Sequence, residues 1–65
     1  MTLAQIKQAV ESGQTVHWVN SLYVVVKDRL GQFFVVCKSN DHAIGLTHRD
    51  GITLNGAPDQ FFIAP

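Results

Sequence analysis

At 65 residues the chain has room for a single domain. Five Lys and Arg balance five Asp and Glu, so no general positive field exists to hold a polyanion, and non-specific nucleic-acid binding is disfavoured. The single cysteine, Cys37, excludes an internal disulfide.

The low content of charged residues indicates how the surface is used. Charged residues make up 15% of the chain, against about 25% in an ordinary domain. A small domain has the most surface per residue to cover, so this shortage suggests that part of the surface does not face water. We therefore expect self-association, most simply a homodimer, or a protein partner.

The N-terminal segment bears on location. Residues 1–13 lack the basic flank, the apolar run and the cleavage site of a signal peptide, and no stretch reaches the ~20 apolar residues of a membrane span. Together with a free cysteine, this favours a cytoplasmic protein with no membrane contact.

The first predicted element is an amphipathic helix. Thr2 and Gln5 have the spacing of a capping box, which satisfies two backbone N–H groups at a helix start. Gly13 is the expected stop, because glycine adopts the left-handed conformation without steric cost. The apolar residues between them recur at helical intervals: Leu3, Ile6 and Val10.

Extended segments follow the helix. Thr15–Val19 and Tyr23–Val26 are rich in β-branched and aromatic residues, and the Asn20–Ser21 dipeptide predicts a hairpin turn between them. A second turn at Asp28–Gly31 leads into a third strand, Phe33–Lys38.

The remaining apolar pieces are shorter. Ala43–Thr47, Ile52–Leu54 and Phe61–Ile63 are bounded by turn residues. The prediction is an α+β domain over residues 1–65. In it, the N-terminal helix packs on a small, strongly curved antiparallel β-meander of four to five strands, and an SH3-like barrel is one form of that curvature.

The middle strands are apolar on both faces, so their sheet must be covered twice, and one helix covers one side. Either the sheet closes into a barrel or one face meets another chain. A register slip of one residue would exchange the two faces. With that alternative open, the predicted core is Val16, Trp18, Val24, Val26, Phe34, Val36, Ile44, Leu46, Ile52, Leu54 and Phe62.

Two candidate chemistries centre on Cys37. Thiolate and imidazole are zinc ligands, but the spacing of Cys37, His42 and His48, with His17 as a distant fourth, matches no standard zinc pattern. Catalysis by Cys37, with His48 or His42 as base and Asp50 orienting it, lacks a glycine-flanked nucleophile turn. We expect a small buried thiol, no enzyme activity, no metal and no cofactor.

A nucleic-acid-binding β-barrel module is the alternative function. Trp18, Tyr23, Phe33 and Phe34 offer rings that stack on bases, and nearby lysines and arginines would contact phosphates. Acidic residues lie beside these basic ones, so no continuous positive stripe forms. The aromatic residues are also the natural core of so small a sheet.

The leading hypothesis is a small non-enzymatic interaction protein. Aromatic residues and arginine carry much of the binding energy of typical interfaces. The predicted binding residues are therefore Trp18, Tyr23, Arg29 and Phe33.

One resemblance covers nearly the whole chain. Its pieces are Val16-His17-Trp18 with Asn20, Tyr23-Val24-Val25 with Lys27-Asp28 and Gly31-Gln32, Ile44-Gly45-Leu46-Thr47, Asp50-Gly51, and Thr53-Leu54-Asn55-Gly56. These are similar to short uncharacterised proteins encoded on bacterial plasmids and phages. The resemblance implies no site residues. It implies an accessory role in a mobile element, modulating a host or plasmid protein by binding to it.

Overall fold

The computed structural model describes residues 1–65 as one helix and one five-stranded antiparallel sheet, an α+β fold. The sheet order is β4-β3-β2-β1-β5, so strands adjacent in sequence are neighbours except that β5 returns to pair with β1. A 3₁₀ turn at Pro58–Gln60 leads into β5. The elements are α1 Leu3–Glu11, β1 Val16–Trp18, β2 Asn20–Lys27, β3 Phe33–Cys37, β4 Ala43–Gly45 and β5 Phe61–Ile63.

Helix α1 begins and ends as predicted. The Thr2 hydroxyl accepts from the Gln5 N–H at 3.2 Å, and the Gln5 side chain accepts from the Thr2 N–H at 2.8 Å. At the other end Gly13, with φ +90°, closes a Schellman motif, in which Gln14 N–H donates to the Ala9 carbonyl. The helix is too short to cross a membrane.

The reversal between β1 and β2 differs from the prediction. The Asn20–Ser21 dipeptide lies inside β2, and the chain turns instead at Val19. The pairing of β1 with β2 is irregular just before this turn, between His17 and Trp18. Val19 has φ +68°, which is unfavourable for a β-branched residue. Its N–H donates to the Gln60 carbonyl at 2.8 Å, which ties the turn to the entry of β5.

The sheet is open, so the structure gives no support to the SH3-like barrel. Strands β4 and β5 form opposite edges and do not pair. The predicted strand Ile52–Leu54 is absent, and only a single bridge joins Thr47 to Leu54. Directly after β4, the Leu46 N–H donates to the Phe33 carbonyl at 3.1 Å and the Leu46 side chain is buried in the core.

The core lies between α1 and one face of the sheet, and the predicted face of β2 and β3 is wrong. Val25 and Val35 point inward, whereas Val24, Val26, Phe34 and Val36 lie on the other face. Among the other predicted core residues, Val16 and Leu46 are confirmed, Trp18 and Leu54 pack at the margin of the core, and Ile44, Ile52 and Phe62 are exposed. The core residues are Ile6, Ala9, Val16, Val25, Val35, Leu46 and Phe61.

Ile6 is completely buried, and its replacement tests this core. We expect Ile6→Ala to lower the free energy of unfolding by about 2–5 kcal/mol, because the deletion leaves a cavity that α1 cannot close. The matched control is Ile52→Ala, since Ile52 is 76% exposed, and we expect a change within about 0.5 kcal/mol. Urea unfolding measures both, and equal losses would contradict this assignment of the core.

Candidate functional site

The face of the sheet opposite α1 is apolar and lies outside the hydrophobic core. None of its residues belongs to the core or packs against it. We call this surface the open face, and define it as His17, Leu22, Val24, Val26, Phe34, Val36 and Phe62.

Strand register aligns these side chains. Phe62 lies opposite His17, His17 opposite Val24, and Val24 opposite Val36. Directly opposed residues of antiparallel strands share a face, so these four side chains form a row across the sheet. Val26 and Phe34 also oppose each other, two residues along their strands from Val24 and Val36, and they begin a second row. The face is therefore continuous over four strands.

The open face is accessible to solvent at its margins. Leu22 is 49% exposed, Phe62 41% and Val26 38%. Val24, Phe34 and Val36 lie further inside the sheet and are half-buried by their neighbours. Together these side chains form one apolar patch on a single sheet face, and contiguous apolar patches mark interaction sites.

Within the strands, the open face carries no charged residue. Only one of the chain's charged residues lies within a strand, namely Lys27 at the end of β2. Lys27 opposes Phe33 on the helix-covered face, and its ammonium group lies 3.1 Å from a Glu11 carboxylate oxygen of α1. The nearest charges flank the face at its ends, Lys38 after β3 and Asp28 after β2.

His17 is the one polar side chain of the open face, and it is 93% buried, being only 7% exposed. Its Nδ1 lies 2.9 Å from the Tyr23 carbonyl oxygen. Because a carbonyl oxygen only accepts, Nδ1 carries the hydrogen and donates it. The ring packs against Phe62 with centroids 5.5 Å apart. The imidazole ring thus packs within the open face, and its Nδ1–H is hydrogen-bonded inside the sheet.

The predicted binding residues Trp18 and Tyr23 lie together, on the helix-covered face. Their rings meet edge to face at 5.1 Å, and Trp18 also stacks on Phe61 at 6.3 Å. The indole N–H donates to the Gln60 side chain at 3.2 Å. A depression of about 270 Å³ opens beside Trp18 and Tyr23, at the low end of the range for small-molecule sites.

Phe33 and Arg29 lie apart from that pair. Phe33 opposes Lys27, four residues along β2 from Tyr23, which is about 13 Å at the rise of an extended strand. The ammonium groups of Lys7 and Lys27 lie 5.5 and 5.7 Å from the centre of the Phe33 ring. Arg29 is exposed in the turn between β2 and β3. The four residues therefore form no single surface.

Cys37 lies at the end of β3 with its thiol 3.2 Å from the Ser39 hydroxyl. That hydrogen bond, helped by backbone N–H groups of Ser39 and Asn40, holds the pKa of the Cys37 thiol below its ordinary value. Cys37 and His42 both line the depression beside Trp18 and Tyr23, whereas His17 lies on the opposite face of the sheet. No group of three or more His, Cys, Asp or Glu side chains is placed to hold a metal ion.

Asp50 is the other group with a displaced pKa, and its role is structural. Its carboxylate accepts from the Thr53 hydroxyl at 2.6 Å and from the N–H groups of Ile52 and Thr53 at 2.9 Å. These hydrogen bonds lower the pKa of Asp50 from 3.8 to about 2, with the Thr53 hydroxyl as the largest cause and His48 as a minor one. Asp50 therefore orders its own loop.

No family model, no curated protein and no solved structure matches this chain.

The sequence indicates a second apolar face on the middle strands, but the predicted binding residues do not lie on the open face. Its signal lay in the alternation itself, since β2 and β3 have a second apolar face after the helix-covered one is filled.

Gly56 controls the position of Trp18. A Cβ at Gly56 would lie 2.8 Å from the indole Nε1, and φ is +151°. We expect Gly56→Ala to lower the free energy of unfolding by about 1–3 kcal/mol and to shift the Trp18 emission, because the indole must leave Gln60. The control is Gly51→Ala, where φ is +71° and no atom lies within 4 Å. A normal emission spectrum for Gly56→Ala would contradict this packing.

Thr53→Ala removes the strongest hydrogen bond to Asp50, so we expect the pKa of Asp50 to rise towards 3.8. Since a lowered carboxyl pKa stabilises the folded state above the ordinary value, the contribution of Asp50 is complete above pH 3.8 and is lost as the pH falls towards 2. Thr53→Ala should flatten that acid dependence, and Thr53→Ser should preserve it. Carboxyl ¹³C NMR titration follows the group directly, and identical curves for the Ala and Ser variants would refute the assignment.

Proposed function

We propose that this chain is a non-enzymatic interaction protein that binds another protein chain through the open face. The observation that carries the proposal is a continuous apolar surface over four strands that lies outside the core and on which the strands place no charged residue.

The energetics of burial support this use of the open face. Each Å² of apolar surface removed from water contributes roughly 25 cal/mol, and contiguous apolar patches beyond a few hundred Å² mark interaction sites on soluble proteins. Selection for a monomer in water would favour polar side chains at exposed positions such as Val26 and Phe62. Apolar residues there are useful if a partner covers them.

The chemistry of the open face favours a protein over a nucleic acid. Phosphate contacts need lysine or arginine, and the strands place neither on this face. Trp18 and Tyr23, the rings best suited to stacking on bases, pack on the helix-covered face. Lys27, in turn, is paired with Glu11.

The perturbed groups favour a role without catalysis. The shifts at Cys37 and Asp50 both arise from hydrogen bonds within their own turns, which is the pattern of structural capping. The setting we propose is the one that the resemblance implies. In the cytoplasm, an accessory protein of a plasmid or phage would modulate a host or plasmid protein by occupying one of its surfaces.

Phe33 and Phe34 are adjacent residues on opposite faces, and they allow a matched test. Replacing Phe34 with photoreactive benzoylphenylalanine should yield covalent adducts with another protein chain on irradiation of expressing cells, because the open face is in contact with that chain. The same replacement at Phe33 should yield several-fold less. Mass spectrometry identifies the cross-linked chain. Equal yields at the two positions, or none at Phe34, would overturn the proposal.

A further inference from the structure

The dimensions and the charge of the open face identify what covers it. We propose that its occupant is a second copy of this chain, packed face to face so that the two sheets form a sandwich. This inference rests on the proposed function and names its partner.

The area of the open face suits a weak dimer. The four strands of the open face, about 4.8 Å apart, span roughly 19 Å, and the five residues of β3 run about 17 Å, which gives a footprint on the order of 300 Å² per copy. Exposed side chains at its margins, such as Leu22, enlarge this area. Stable interfaces bury roughly 800 Å² per partner and transient ones less, so we expect a weak dimer that dissociates at micromolar concentrations.

The charge distribution also suits a copy of itself. The strands place no charge on the face, so two copies meet there without repulsion, and the two charges at its ends, Lys38 and Asp28, are of opposite sign. Aligned sheets pack about 10 Å apart with their side chains interdigitated, and flat or small residues permit that approach. The buried ring of His17, already bonded to the Tyr23 carbonyl, brings no unsatisfied donor into such an interface.

The two ends of the open face determine how the copies are oriented. Lys38 lies at the register position opposite Leu22, and its N–H donates to the Leu22 carbonyl. Asp28, directly after β2, lies six residues along the chain from Leu22, which is about 20 Å in an extended strand. A two-fold axis that crosses the strands places each Lys38 beside the Asp28 of the other copy. An axis parallel to the strands would instead place lysine beside lysine. Electrostatics therefore favour the crossing axis.

The test is sedimentation equilibrium of the purified chain from 1 to 500 µM. We expect the mass to rise from 7.2 kDa towards twice that value, at low and at high salt alike. Val26→Asp should weaken the dimer at least 100-fold, because it places a charge within the interface. Ile52→Asp, at an exposed apolar residue outside the open face, should leave it unchanged. Trp18 fluorescence reports whether each variant remains folded.

If the aspartate variant does not fold, Val26→Thr replaces it in the test, because threonine keeps the β-branched shape. We expect Val26→Thr to weaken the dimer by about tenfold.

Lys38→Glu should weaken the dimer several-fold, more at low salt, because it faces Asp28 of the other copy. An unchanged affinity for Lys38→Glu would overturn the crossing axis. A monomer at 500 µM, or a dimer that tolerates Val26→Asp, would overturn the second copy as occupant. If the monomer still cross-links to a different protein from position 34, the proposed function stands without this inference.

Discussion

One constraint shapes this molecule, namely that its only helix covers just one face of its sheet. Nine helical residues rise about 14 Å, whereas five strands spread roughly 24 Å. Helix α1 therefore needs the segment after β4, with Leu46 buried within it, to complete a single layer over the sheet. The residues of the other face lie outside this core. The core, the open edges and the exposed apolar surface all follow from this shortage of covering chain.

Local features of the fold could be predicted because neighbouring residues determine them. The Thr2–Gln5 capping box, the stop at Gly13 and the turn before β3 depend only on contacts within a few residues. The inward face of β2 and β3 could not be predicted in that way. Both faces are apolar, so alternation gives two equivalent solutions. The one charged residue of β2 suggests the wrong face as the solvent-exposed one. Lys27 shares the helix-covered face with Val25 and pairs with Glu11 at the margin of that face.

The same ambiguity explains why the predicted binding residues were not the open face. Trp18, Tyr23 and Phe33 were chosen for their chemistry, as aromatic residues that favour interfaces in general. In the structure these aromatic residues pack at the margins of the core, where Trp18 stacks on Phe61 and its indole N–H donates to the Gln60 side chain. Three of the seven residues of the open face are valines, which suggest a core when they are considered singly. They indicate a surface only once the strand register shows what lies behind them.

The two edge strands have a consequence for how far association can grow. An exposed sheet edge recruits further strands without limit, which is the geometry of fibrils. Here β4 and β5 are only three residues each, and Pro65, which has no N–H to donate, stands two residues beyond β5. Pairing through a face, by contrast, exhausts the reactive surface of both participants at once. With apolar residues on its face and only short strands at its edges, the proposed dimer would terminate by itself and would not propagate.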